Sequence, residues 1–292
     1  MKYAWIKENA KQFPTAVMCR VLQVSDSGYY GYLDREPCAA QKRREAIGQA
    51  AAKFYFESNR IYGYRKVHGD IMETDMQCSE ETVRRIMRRM GLFSRIKRKF
   101  VVTTDSSHQM AVAENILDRD FSADGQNQKW AADITYISTA EGWLYLAAVM
   151  DLFSRKIVGW SVSEHIDTAL VTSAMRMAVS QRKPQAGLLH HSDRGCQYAS
   201  EGFRDLLADH GITCSMSRKG NCWDNACMES FFGSLKNEWL SERKYKTREE
   251  AIKDVFEYVE MFYNRKRRHE SLGYLSPAAY EKRYEKEQKQ VA

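Results

Sequence analysis

WAADITYISTAEGWLYLAAVMDLFSRKIVGWSVS, residues 130–163, is the stretch that decides the fold. Apolar and β-branched residues come in three runs, at about 130–137, 143–150 and 156–163, split by turn sequences such as Ala140-Glu-Gly142. Runs this short and this close together predict three antiparallel strands. In the first strand, alternation puts Ala131, Asp133, Thr135 and Ile137 on one face. A carboxylate at the centre of such a strand is costly unless it is paired or holds a metal, so Asp133 needs a reason to be there.

Working outward, residues 168–181 read as a helix, Leu188–His191 as a short strand and 200–210 as a helix ending at Gly211. A strand near 212–216 comes next, then the loop Ser217–Trp223 and helices at about 225–241 and 247–264. Three antiparallel strands followed by strand–helix alternation predict an α/β fold, a ribonuclease H-like mixed sheet flanked by helices. An all-α region precedes it. Residues 14–34 read as a small helical element, and helices are predicted at 39–57, 63–74 and 80–91. The last of these has Ser79 in the capping position, Glu80 and Glu81 in its first turn and Gly91 as its stop. Three helices with a tight turn before the third form a helix-turn-helix pattern. The expected organisation is a helical element at 1–37, a helix-turn-helix DNA-binding domain at 38–100, a linker at 101–120, the α/β domain at 121–285 and a tail at 286–292. The charged end, 284–292, is expected to fray.

With 43% apolar and 12% aromatic residues, the 292-residue chain can bury a sizeable core. Its net charge of +7 is unevenly spread. Residues 1–120 hold 21 Lys+Arg against 15 Asp+Glu, whereas residues 121–292 are nearly balanced at 24 against 23. Eight basic residues fall within 79–99: Arg84, Arg85, Arg88, Arg89, Arg95, Lys97, Arg98 and Lys99. At the end of a helix-turn-helix pattern, such a cluster points to DNA docking, mostly through phosphates. No apolar run is long enough to span a membrane, and no signal peptide is visible. The seven cysteines include no Cys-x-x-Cys pair and match no usual zinc module, which fits reduced thiols and a cytoplasmic location.

Three acids form the candidate site: Asp133, Asp193 in Leu188-Leu-His-His-Ser-Asp193, and Glu229 in Asn225-Ala-Cys-Met-Glu229. Lys236 follows Glu229 by two helical turns and so shares its face. Alone, Asp193 reads as a turn residue and Glu229 as a surface acid. Converging, the three would make a hard-oxygen site for two divalent cations. Asp151 and Asp224 compete as acids but read as structural, one in a turn and the other at a helix cap. Trp223 reads either as a base-stacking residue or as core. The run Arg265–Arg268 reads either as a phosphate track or, with Asn264 and His269, as a tertiary anchor.

These words resemble a known family. Tyr62-Gly-Tyr-Arg65, Trp130-Ala-Ala-Asp-Ile-Thr135, Asp151-Leu-Phe-Ser-Arg155, His191-Ser-Asp-Arg-Gly195, Asp224-Asn-Ala-Cys-Met-Glu229, Tyr263-Asn264 and Arg268-His269 resemble the DDE transposases of bacterial insertion sequences, the second-reading-frame proteins with a retroviral-integrase-like core. The resemblance runs from about residue 10 to 285. It implies metal-dependent DNA cleavage and strand transfer, with Asp133, Asp193 and Glu229 as catalytic metal ligands and Lys236 on the DNA. It further implies two Mg²⁺ ions per site, with Mn²⁺ as a substitute. The implied partners are element-end and target DNA, an upstream-reading-frame product as fusion or partner, and further copies of the chain on DNA. The implied location is the bacterial cytoplasm, at the nucleoid. Two other functions stay open on the sequence: a non-catalytic DNA-binding regulator of transposition and a ribonuclease H-like nuclease.

Overall fold

The computed structural model describes residues 2–94, 112–218, 222–241 and 243–291. Arg95, Lys97, Arg98 and Lys99 of the basic cluster lie outside the described residues. Chain contacts divide the molecule into two compact units, Met1–Ser94 and Arg95–Ala292. No described helix is long and apolar enough to cross a membrane.

The first unit is all helical. It contains α1 (Lys2–Asn9), α2 (Thr15–Val21), α3 (Asp26–Leu33), α4 (Ala39–Glu57), α5 (Tyr64–Met72) and α6 (Glu80–Arg89). The helix α1 was not expected; its fully buried Ile6 completes a small core with Met18, Cys19 and Tyr29. Helices α4, α5 and α6 pack on one another through buried Ala51, Val67, Ile71, Val83 and Met87. The Ser79 hydroxyl accepts from the Thr82 backbone N–H at 3.3 Å. At the other end Gly91, with φ +68°, supplies the left-handed residue that ends α6. Burying Val83, Ile86 and Met87 leaves Arg84, Arg85, Arg88 and Arg89 exposed on α6.

The second unit is built on a five-stranded mixed sheet in the order β3-β2-β1-β4-β5. The strands are β1 (Lys129–Thr139), β2 (Gly142–Asp151), β3 (Ile157–Ser163), β4 (Leu189–Ser192) and β5 (Thr213–Met216). The first three are antiparallel neighbours, whereas β4 runs parallel to both β1 and β5. Helices α7 (Thr168–Arg182), α8 (Cys196–Ala199) and α9 (Glu201–Asp209) cover one face, closing a core with Trp130, Ala132, Val149, Leu170, Met175 and Phe203. Contact with α7 is close enough that a Cβ on Gly159 would sit 2.2 Å from the Ala174 carbonyl oxygen. Its neighbour Trp160 looks the other way and donates its indole N–H to Glu260 at 2.9 Å.

The remaining helices are α10 (Ala226–Ser234), α11 (Arg248–Phe256) and α12 (Pro277–Val291). Both α10 and α11 pack against β1. Each runs on into a π-helical segment, Leu235–Leu240 and Glu257–Tyr263, where continuous α-helix was expected. The wider turns meet in an aromatic cluster of Trp239, Tyr258, Phe262, Phe231 and Tyr263. The C-terminal residues also differ from expectation. Helix α12 continues through the charged end to Val291, anchored by buried Glu281, which accepts from Arg182, Lys156 and Ser154. The charged residues of this stretch lie on its solvated face.

Asp151 has a structural place. Its carboxylate accepts from the backbone N–H groups of Asn127 and Phe153 and from Arg182. Residues 112–120 have no helix or strand yet are fastened to the unit: Ser215 Oγ accepts from the Ile116 and Leu117 N–H groups, and Leu117 is buried.

Candidate active site

Asp133 and Asp193 come together through strand register. In the parallel β1–β4 pair Ala131 stands opposite His191, so Asp133 and Asp193 each come two residues beyond the last paired position, at the same end of the ladder. Each carboxylate is oriented by a local backbone donor. Asp133 Oδ1 accepts from the Ile134 N–H at 2.8 Å, and Asp193 Oδ1 from the Gly195 N–H at 2.9 Å, in the turn that opens α8. Beside them His191 is buried between Ser215 Oγ at 2.9 Å and Ser217 Oγ at 3.1 Å. Burial lowers its pKa to about 4 against the pull of Asp224, so it is a neutral spacer near pH 7.

Glu229 lies in the first turn of α10 and is exposed. The three acids share one field. Burial first, then the charge of Asp193 and behind it that of Glu229, push the Asp133 carboxyl well above the usual carboxylate range. Glu229 is itself raised, by partial burial. Lys236 opposes the cluster: its charge favours ionised Asp133. Its ammonium sits 4.4 Å from the centre of the Tyr136 ring, and burial lowers its pKa to about 8 although Asp133 pulls the other way.

An all-oxygen, mutually repelling donor set fits a hard divalent cation, which would cancel the repulsion. Among the described residues, no three His, Cys, Asp or Glu side chains are gathered closely enough to hold an ion as they stand. Of the two other acids, Asp193 acts on Asp133 more strongly than Glu229 does.

The start of α10 is pinned at two successive residues. Asp224 is fully buried and accepts from the Arg218 backbone N–H at 2.9 Å, Arg218 Nη2 at 2.8 Å, Arg119 Nε at 2.8 Å and Asn115 Nδ2 at 3.0 Å. Asn225 Nδ2 donates to the Ala132 carbonyl at 3.0 Å. Asn225 occupies the capping position but makes no side-chain cap, so the expected capping role of Asp224-Asn225 gives way to two tethers. The sequence reading missed them because their partners lie up to 109 residues away and leave no local signal.

The basic run near the C-terminus divides. Arg265 and Lys266 are exposed. Arg267 is buried in a two-pronged pair with Glu238, both bonds 2.6 Å, and Arg268 donates to the Tyr274 carbonyl at 2.9 Å. Asn264 clamps both backbone groups of Ile157 at 2.9 Å. Arg267, Arg268 and Asn264 are tertiary anchors, so a four-residue phosphate track does not exist. Trp223 is 68% exposed, which excludes the core reading. In the first unit, Arg84 and Arg85 both bind Glu81, at 2.6 and 2.7 Å.

Residues 123–222 and 210–277 match the family described as Integrase core domain, and residues 42–100 match the HTH-like domain. Transposase InsF for insertion sequence IS3A of Escherichia coli strain K12 is 40% identical over 283 residues, 96% of this chain and 98% of that protein. The Insertion element IS600 uncharacterized 31 kDa protein of Shigella sonnei is 42% identical over 267 residues, 91% of this chain and 98% of that one. Of solved structures, the HTLV-2 integrase catalytic core domain in complex with magnesium (trimeric form) aligns at 18% identity and a TM-score of 0.43, covering 55% of this chain and 99% of that chain.

Proposed function

The chain belongs to the insertion-sequence transposase family that includes transposase InsF, and from that premise we propose that Asp133, Asp193 and Glu229 are the catalytic carboxylates of a DDE transposase. The chain is a transposase with an integrase core and an HTH-like domain, and in our reading it uses a divalent metal. The observation that supports this assignment of residues is geometric: Asp133 lies in β1, Asp193 follows the neighbouring parallel β4, and α10, with Glu229 in its first turn, packs on β1. In our reading Asp133, Asp193 and Glu229 would together hold two Mg²⁺ ions, with Mn²⁺ able to replace them. Bound there, the ions supply Lewis-acid activation of the attacking oxygen and stabilise the leaving one.

The rest of the reaction falls to the chain's own groups. Lys236 meets the phosphate beside the scissile bond, and neutral His191 holds the β4 end in place without exchanging protons. A water oxygen attacks phosphorus at an element end, the bond to O3′ breaks, and the freed 3′-oxygen takes up a proton. That 3′-hydroxyl then attacks a second phosphodiester and displaces its 3′-oxygen, so one bond forms for each bond broken. The α4–α6 region, residues 38–100, docks DNA through Arg84, Arg85, Arg88 and Arg89, together with Arg95, Lys97, Arg98 and Lys99. Residues 101–120 are the linker, 121–285 the catalytic domain, and 1–37 and 286–292 the flanking pieces. The protein works in the cytoplasm on nucleoid DNA, as several copies, with the upstream-frame product as fusion or partner.

The test is strand cleavage and joining on duplexes carrying the two termini of the element that encodes the chain, with Mg²⁺ or Mn²⁺, using the full chain with and without the upstream-frame product. Joined product is expected, and Asp133→Asn, Asp193→Asn and Glu229→Gln should each abolish it while DNA binding persists. Cut strands without joined product would favour the nuclease. Binding without cutting by the unaltered chain in both formats would favour the regulator.

A further inference from the structure

We infer that Asn225 is a positioning residue that sets the distance between Glu229 and the aspartate pair by tying α10 to β1. This rests on the carboxylate reading above. Asn225 is almost fully buried, and its Nδ2 donates at 3.0 Å to the carbonyl of Ala132, the residue next to Asp133. Glu229 follows Asn225 by four residues, one turn of helix, so the two share a face of α10. A single hydrogen bond therefore connects the backbone beside one proposed metal ligand to the helix turn carrying another.

The chemistry of the amide shows that this is a deliberate use of the side chain. An asparagine in the capping position normally turns its oxygen onto a free helix N–H. Here no such bond is made, and Oδ1 is buried with no hydrogen-bond partner among the described residues. A helix seeking only stability would reverse this choice, since capping satisfies a helix donor and leaves no buried acceptor orphaned. The neighbouring Asp224 fixes the same turn to Arg218 and Arg119. Asp224 holds the turn to the surrounding loops, whereas Asn225 reaches the strand of the aspartates. Glu229 is carried by α10, whereas Asp133 lies in β1 and Asp193 directly follows β4, so the approach of Glu229 to the two aspartates is the distance that the Asn225 tether controls.

The experiment compares the full-length chain with Asn225→Ala, which removes the tether, and Asn225→Asp, which keeps the shape but replaces the donor by an oxygen. Each is measured for folding, for strand transfer against Mg²⁺ concentration and for the rise in Tm produced by Mn²⁺. Both variants should fold, with Tm lowered by only about 5 °C. Strand transfer should fall on the order of 100-fold, the effect of misplacing a reacting group by about 1 Å. The Mg²⁺ requirement should rise and the Mn²⁺-induced Tm rise should shrink. In a Glu229→Gln background, Asn225→Ala should change that Tm rise no further, because the tether acts through Glu229. A normal Mg²⁺ requirement and Mn²⁺ response in either variant would overturn the inference, and loss of folded protein in both would make Asn225 a purely structural residue and overturn it equally. If Asp133→Asn still yields joined product, the carboxylate reading itself fails. If Asp133→Asn is inactive and both Asn225 variants match the unaltered chain, only the present inference fails.

Discussion

Removing the Glu238 carboxylate should destabilise the second unit far more than removing any surface acid. Arg267 grips Glu238 with two bonds of 2.6 Å and reaches Ser234 Oγ at 3.1 Å. The Arg267 and Glu238 side chains are 11% and 13% exposed. Burial works against the guanidinium charge, and the bonds to Glu238 more than restore it. Glu238→Ala would strand that charge beside Tyr258 and Tyr263, and breaking one side of a buried pair costs about 3–5 kcal/mol. For a unit of this size each kcal/mol moves Tm by about 2–4 °C, so a fall of roughly 6–20 °C is expected. Tryptophan fluorescence reports it well, since five of the six tryptophans lie in the second unit. The exposed pair Arg283–Glu287, with side chains 70% and 55% exposed, is the control. There Glu287→Ala should leave Tm nearly unchanged, because water screens the pair. Pairing Glu238→Leu with Arg267→Met should recover most of the loss, because a matched apolar replacement strands no charge. If Glu238→Ala melts within the range of the control, the pair is solvated and Arg267 returns as a candidate for phosphate contact.

Two further predictions concern pH and salt. Burial, with a smaller push from His191, lowers the pKa of His190 to about 3 from 6.5. A depressed histidine stabilises above its unfolded pKa and loses that contribution as pH falls below it. The stability of the unaltered chain relative to His190→Phe should therefore drop by about 2 kcal/mol between pH 7 and pH 5 in urea titrations; parallel curves would contradict the buried neutral imidazole. In the first unit, Arg88→Gln and Arg89→Gln should each reduce the slope of log binding constant against log salt by about 0.9. Glu81→Gln, which releases Arg84 and Arg85, should steepen it, and a slope unmoved by all three would remove α6 from the DNA interface.

The parts of the fold legible in the sequence are those whose signal is local. Alternation and apolar runs gave β1 to β3, Ser79 and Gly91 bounded α6, and Gly142, with φ +112°, marked the β1–β2 turn. Four-residue α8 is too short to show a period. The π-helical segments carry no residue type that separates them from α-helix; they follow from how Trp239, Tyr258 and Phe262 meet in space. The site divides the same way. Asp133 was conspicuous because apolar neighbours surround it, whereas Asp193 and Glu229 look ordinary alone and gain meaning only as a set of three acids with Lys236 and the family words. The tethers were illegible: Asn225 lies 93 residues from Ala132 and Arg119 lies 105 from Asp224. Arg265–Arg268 looked uniform in sequence, yet two of its four residues turn inward.

The placement of the tethers follows from electrostatics. Three carboxylates cannot organise one another, because each pushes the others away and raises the cost of ionisation. Their positions must be set by groups indifferent to whether that repulsion has been neutralised. Asp133 and Asp193 meet this condition through the β1–β4 ladder, whose backbone bonds carry no net charge. Glu229 has no strand beneath it and needs a substitute. An ion pair directly beside the acids would itself respond to cation binding. Asp224 instead satisfies its charge with Arg218 and Arg119, and the contact that reaches the aspartate strand is the neutral amide of Asn225. The charged clamp thus holds the loop, the uncharged one faces the site, and changing the charge at the acids leaves both bonds of the scaffold intact.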